Sequence, residues 1–536
     1  MKKWYRYLVA GVLVLLTLCV AGCGGVSHKS PEKVTEELIQ SYVDGKESNK
    51  TMEDVSMSNV KGVRLTPAKF AVDLSDGSER GFYVNQDYIL QKLHRPHRGI
   101  NLMYCYYPLD EAWPARAQDA YADKEISFAW DYPYDNYFPF RGGLNGNMDG
   151  EPFTCMRDVR RHGQDVILTL TCDPHVTDEH IIAIAKNLRT FGRMMLRLNH
   201  EATGDWFSFN KRASYQEVAD FFVRFHKILK EYAPNVQTIL CIGGAEDPNS
   251  SEITKEKEFA EAVRTTDIWS VDKYMALNWG WPYEVAEKDN FSHKKESAEY
   301  VYEMTKKSYE RYKELCGGKK KPMVMSEMNA DGDVTGPYDQ VKMVQDFCRL
   351  IKEDPERWFS GFTFYQFRDD GRLGLEITDP NNPDVGVEQP LLAAYRDIIQ
   401  DEFFNPGVVY EGEKELPVTL RWGGSEDAEG VEMELSFDGD PVFAEANFKD
   451  DLKDANLMLE INGRWFYKAP GVTFVDFMPA FFDKKPDGSR TMKLRIFAPP
   501  ATGENDPSQG EDWQENYYYT LKSLPDIRLR FEPVIA

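Results

Sequence analysis

A chain of 536 residues with 42% hydrophobic and 13% aromatic content can bury more than one core, so at least two domains are expected. Its formal charge of -24 argues against nucleic acid or an anionic surface as partner and leaves a neutral or weakly charged ligand as the better match.

The chain opens with Lys2, Lys3 and Arg6 ahead of an apolar stretch from Leu8 to Val20. That stretch is shorter than the ~20 residues of a membrane span and is expected to act as an export signal over residues 1–22, the alternative being an uncleaved anchor. The segment Val20-Ala21-Gly22-Cys23 resembles a bacterial lipobox. The resemblance implies that Cys23 becomes a lipid-bearing first residue and that the mature protein sits in the cell envelope, facing periplasm or exterior. Residues 23–84 are polar apart from a short amphipathic stretch, Pro31 to Tyr42, and read as a linker or cover.

From residue 85 to 404 short apolar strands alternate with helical stretches, the pattern of β/α units and a parallel sheet. Eight strand candidates follow: Ile100–Tyr107, Glu125–Trp130, Asp165–Thr171, Arg193–Asn199, Val236–Ile242, Ile268–Tyr274, Pro322–Met328 and Gly361–Gln366. Eight closes a (β/α)8 barrel. Helices are expected at Met156 to His162, at Asp178 to Thr190, and at Tyr215 to Tyr232, where Val218, Phe221, Phe222, Phe225, Ile228 and Leu229 fall on one face. After Asn405-Pro406-Gly407 the pattern changes to period two, with Asn462-Gly463 as a hairpin turn, so residues 405–536 are expected to form a β-sandwich. Trp422, Trp465, Trp513 and Tyr517 to Tyr519 there form either a sugar-binding strip or, the favoured reading, core and seam. Beyond the signal, Cys105, Cys155, Cys172, Cys241, Cys316 and Cys348 lack metal-type spacing and read as buried thiols in preference to disulfides.

Two glutamates carry the functional reading. Glu201 follows the apolar run Met194 to Leu196 in Arg197-Leu-Asn-His-Glu201, and Glu327 follows another in Pro322-Met-Val-Met-Ser-Glu327. Glycoside cleavage needs one carboxyl group to protonate the leaving oxygen and another to attack or stabilise the anomeric carbon. On the strand count they end strands four and seven, whose tips face one pocket. Rim salt bridges are the competing explanation.

The motif Arg197-x-x-His200-Glu201-x-x-Gly204-x-Trp206-Phe207 resembles the family 26 glycoside hydrolases, β-mannanase-like members of the clan of retaining barrels with glutamates on strands four and seven. The resemblance implies Glu201 as acid/base, Glu327 as nucleophile, His200 as a neighbour that binds sugar or holds the glutamate, and Tyr274 as a hydrogen-bond donor to the nucleophile. Arg197, Asn199, Gln366 and the tryptophans Trp206, Trp279 and Trp281 complete the candidate substrate-binding set, an indole face being suited to a pyranose. Ala202-Thr203 and Phe364-Tyr365-Gln366-Phe367 depart from the family pattern, so mannan is one candidate glycan among β-glucans and others. A glycan-capturing protein without turnover and a transglycosylase or exopolysaccharide-modifying enzyme are the alternatives. His162, His175 and the Asp331/Asp333 pair have no metal-cage spacing; no metal and no cofactor is expected.

Overall fold

The computed structural model describes residues 53–55, 60–78, 83–110, 113, 135, 137–250, 253–277, 296–369, 371–436, 441–482, 491–499 and 517–531. Its centre is a closed barrel of eight parallel strands, here β1 to β8: Ala71–Ser75, Gly99–Tyr106, Asp165–Cys172, Met194–Leu198, Val236–Gly244, Ile268–Met275, Met323–Ala330 and Gly361–Phe364. β1 pairs with β8 on one side and β2 on the other, which closes the ring.

The strand count was right in number and wrong in membership. β1 is a strand that the sequence reading assigned to the cover, and β2 pairs with β3 along its full length, Gly99 with Asp165 through Tyr106 with Cys172. That pairing leaves no place between them for Glu125–Trp130, which lies outside the described residues. The error and the omission cancel, so Glu201 does follow β4 and Glu327 does lie on β7.

Helices cover the barrel as their periodicity predicts. Tyr215–Tyr232 starts at a capping box, Ser214 accepting the Glu217 N–H while Glu217 reaches back to Ser214, and buries Val218, Phe221, Phe222, Phe225 and Leu229. Inside the barrel, Ile167, Met195 and Ile239 form an apolar layer. Two residues further along each strand the same inward face carries Thr169, Arg197 and Cys241, so the interior turns polar toward the C-terminal end.

The C-terminal residues form two antiparallel sheets around a second core that includes Leu435, Ala444, Leu459, Ile496 and Leu529. Asn462 and Gly463 both have positive φ (51° and 87°), as a two-residue type I′ hairpin requires. This domain is not built from residues 405–536 alone. Val60–Thr66 pairs between Gly407–Lys414 and Asp427–Ser436, and Glu53–Val55 pairs with the last strand, Asp526–Phe531. Part of the expected linker is thus sandwich and part is barrel.

The sandwich packs against the N-terminal end of the barrel, away from the strand tips. Ser425 Oγ donates to the His97 carbonyl (3.0 Å), Asn456 Nδ2 to the Arg161 carbonyl (2.8 Å), and the Trp465 N–H to the His94 carbonyl (2.8 Å). Trp422, Trp465 and Tyr517 are buried in this seam and its core, which is the structural role favoured from sequence; Trp513 lies outside the described residues. Among the described residues the six cysteines are free thiols.

Candidate active site

The site is assembled where β4, β6 and β7 end. Alternation puts Arg197 inside the barrel, two residues beyond Met195, and there its guanidinium meets two carboxylates: it donates from Nη2 to Asp272 and to Glu327 (2.8 Å). Asp272 and Tyr274 are two residues apart on β6 and face the same way. Glu327 joins them because the pairing of β7 with β6 shifts register between Met325 and Glu327, setting Glu327 beside Asp272. The Tyr274 hydroxyl donates to the other oxygen of Glu327 at 2.6 Å.

Glu201 reaches the same point from a strained turn. Asn199 and Glu201 both adopt left-handed backbone, φ 45° and 50°, a conformation that costs a non-glycine residue about 1 kcal/mol or more and clusters at functional sites. Asn199 is held there by Cys172, whose N–H it accepts (2.6 Å) and whose carbonyl it donates to (3.1 Å). The Trp206 indole N–H donates to Glu201 Oε2 at 3.1 Å, and the indole itself is 45% exposed. Oxygens of Glu201, Asp272 and Glu327 lie within 4.8 Å of one another. Three such carboxylates could share a cation, but the Arg197 guanidinium already supplies positive charge to two of them.

Electrostatics separate the groups. Burial raises the Glu201 carboxyl well above the usual carboxylate range, reinforced by the charges of Glu327 and Asp272 and opposed by Arg197 and the Trp206 N–H. Burial likewise pushes Asp272 up to about 7 against the pull of Arg197. His200 is driven well below its usual value by burial and then by Arg197, so its imidazole is neutral. Its Nε2 lies 3.2 Å from the Tyr137 hydroxyl and 3.8 Å from Glu327, and the Phe207 ring covers it at 4.5 Å.

Glu201, Glu327, Arg197, His200, Trp206 and Tyr274 therefore come together as the sequence suggested. Three members of the proposed substrate-binding set are engaged with protein groups. Arg197 is 1% exposed and holds the carboxylates of Asp272 and Glu327. Asn199 spends its amide on Cys172. Gln366, fully buried and joined to Tyr365 by a cis peptide, donates to Asp369 at 3.0 Å. Trp279, Trp281 and Cys23 lie outside the described residues. Asp272 and Tyr137 are the members that sequence reading missed. The signal for Asp272 was present, since period two places it on the face of Tyr274; Tyr137 stands in no periodic or motif-bearing stretch and carried none.

Fold and site together define a (β/α)8 barrel with paired carboxyl groups at the C-terminal ends of β4 and β7. No family model matches the chain, and no curated protein matches it. Among solved structures it is similar to an endo-β-1,4-mannanase double mutant from Cellulomonas fimi, with 11% identity, 90% of this chain and 95% of that one covered and a TM-score of 0.36. It is also similar to an α-L-arabinofuranosidase from Thermotoga maritima (11% identity, 82% and 99% covered, TM-score 0.41). A family 39 glycoside hydrolase from Bacteroides cellulosilyticus is a third (12%, 80% and 81%, 0.39).

Proposed function

We propose that the protein is a glycoside hydrolase that cleaves β-glycosidic bonds of a neutral polysaccharide, mannan-like or β-glucan-like, with net retention. The observation that carries this is the carboxylate pair: an oxygen of Glu201 lies within 4.8 Å of an oxygen of Glu327, an approach compatible with the ~5 to 5.5 Å separation of carboxyl groups in retaining enzymes.

In the first step a Glu327 oxygen, aimed by Arg197 and Tyr274, attacks the anomeric carbon while Glu201 delivers its proton to the departing glycosidic oxygen. The bond to the leaving sugar breaks and a glycosyl ester forms on Glu327. Esterification removes the Glu327 charge, one of the causes that keeps the proton on Glu201, so Glu201 becomes the better base. It then takes a proton from water, whose oxygen displaces Glu327 and restores both groups. The exposed Trp206 face beside Glu201 is suited to stack on the sugar that leaves.

Because Glu201 must enter protonated, the rate is expected to fall as pH rises through its raised value. Reducing ends released from β-mannans, β-glucans, xylans and galactans provide the test. Glu201→Ala is expected to lose about 10²–10⁴-fold, the usual contribution of a general acid; no release from any glycan, with binding retained, would instead describe a capture protein. Attachment through a lipid on Cys23, in the bacterial cell envelope, belongs to the same proposal and rests on the sequence of residues 1–23 alone.

A further inference from the structure

Behind the turn that carries Trp206 and Phe207 lies a buried carboxylate with no part in the proposed chemistry. Asp135 bridges the loops after β2 and β4: Oδ1 accepts the Ser208 backbone N–H at 2.8 Å, and Oδ2 accepts the Tyr107 hydroxyl at 2.5 Å. Burying a carboxylate costs several kcal/mol unless its oxygens are hydrogen-bonded, and a backbone donor to a charged acceptor is a strong, stiff contact.

Its position decides what that stiffness acts on. Ser208 directly follows Phe207, whose ring covers His200, and Trp206, whose indole N–H rests on Glu201. The same turn is tied once more by Asn210 Nδ2, which donates to the Ala202 carbonyl at 2.7 Å. On the other side Tyr107 is fixed in turn: the Arg212 guanidinium lies 4.6 Å above its ring and donates to Asp173 (2.9 Å) and Asp110 (2.8 Å). Loops after β2, β3 and β4 thus meet at Tyr107 and Arg212, and Asp135 links that junction to the chain beside Glu201.

We propose that Asp135 is a positioning residue for the acid/base, holding the Trp206–Phe207 turn so that the indole N–H stays on Glu201 and Phe207 stays over His200. The proposal rests on reading Glu201 as the acid/base, yet its first test needs no turnover. In full-length protein labelled with ¹⁵N-tryptophan, the Trp206 indole signal, identified by its loss in Trp206→Phe, should follow the protonation of Glu201. Loss of that response in Glu201→Gln separates it from the other charges that face the site, Glu327, Asp272 and Arg197.

Asp135→Ala is expected to abolish the response of Trp206, and Asp135→Asn, which keeps an oxygen for the Ser208 N–H, to retain it. In parallel, kcat should fall about 10-fold in the alanine variant, as small misplacements of reacting groups do, with less change in KM, and recover in the asparagine variant. A wild-type Trp206 response in folded Asp135→Ala, whatever its melting temperature, would overturn the proposal. Should that variant not fold, Tyr107→Phe removes one of the two hydrogen bonds and keeps the ring under Arg212; a weakened response supports the role and an unchanged one overturns it. Absence of hydrolysis by the wild type would defeat the proposed function while leaving the indole comparison to decide the place of Asp135.

Discussion

Unequal contacts give the two glutamates their separate roles. Tyr274 and Arg197 fix Glu327, whereas Glu201 receives one indole N–H and is otherwise governed by burial and like charge. Removing the Tyr274 hydroxyl in Tyr274→Phe deletes a hydrogen bond to a charged group, worth about 1.5–3 kcal/mol, so kcat is expected to drop about 10- to 100-fold with the fold intact. Asp76 offers a test of burial away from the chemistry. It follows β1, is fully buried, accepts from the Ser78 N–H and hydroxyl, and is pushed up to about 7 from 3.8, burial being the largest cause. A carboxyl raised in the folded state binds its proton more tightly there than when unfolded, so its contribution to stability is present at low pH and is lost as pH rises from about 4 through about 7. Asp76→Asn cannot titrate, and its melting temperature relative to wild type should therefore rise between pH 5 and pH 8; a constant difference would contradict the assignment.

At the scale of elements, the seam between barrel and sandwich makes the sharpest prediction. Gly163 has φ +77° and faces Trp422, whose ring a Cβ would meet at 2.2 Å. Gly163→Ala combines left-handed strain with overpacking and should destabilise by about 2–4 kcal/mol in a denaturant titration that follows the whole protein. Elements with strong local signals were legible in the sequence: the Tyr215–Tyr232 helix, seven of the eight barrel strands near their true limits, and the Asn462-Gly463 turn. β1 was not, because Ala71-Val-Asp-Leu-Ser75 is five residues with a charge at its centre and acquires strand character from β2 and β8 on either side. Glu125–Trp130 satisfies the same local pattern in sequence, which cannot tell a barrel strand from another apolar run. The site divides in the same way. Glu201, Glu327 and Tyr274 stand in readable motifs, whereas the register shift that sets Glu327 beside Asp272, and the Cys172 contacts that occupy Asn199, come from pairing between strands and leave no mark along the chain.

Across the whole molecule, the chain enters through the sandwich, supplying Glu53–Val55 and Val60–Thr66, then forms the barrel, then returns to complete the sandwich. Deleting everything after residue 406 would strip Val60–Thr66 of both its partner strands and expose Gly163, His94 and His97 at the base of the barrel. Such a truncation is expected to be insoluble or inactive; a soluble, fully active product would show that the sandwich is dispensable. The sandwich lies at the strand starts and the carboxylates at the strand ends, so the domain acts on the site through the integrity of the barrel. The central claim is that Glu327 takes the sugar covalently. It is tested most directly by incubating the protein with 2-deoxy-2-fluoro-β-glycosyl fluorides of glucose and mannose and mapping the adduct by peptide mass spectrometry. One glycosyl group on the peptide containing Glu327, absent in Glu327→Gln, is the predicted result; an adduct on Glu201 or Asp272, or inverted product released from a β-glycan without any adduct, would contradict it.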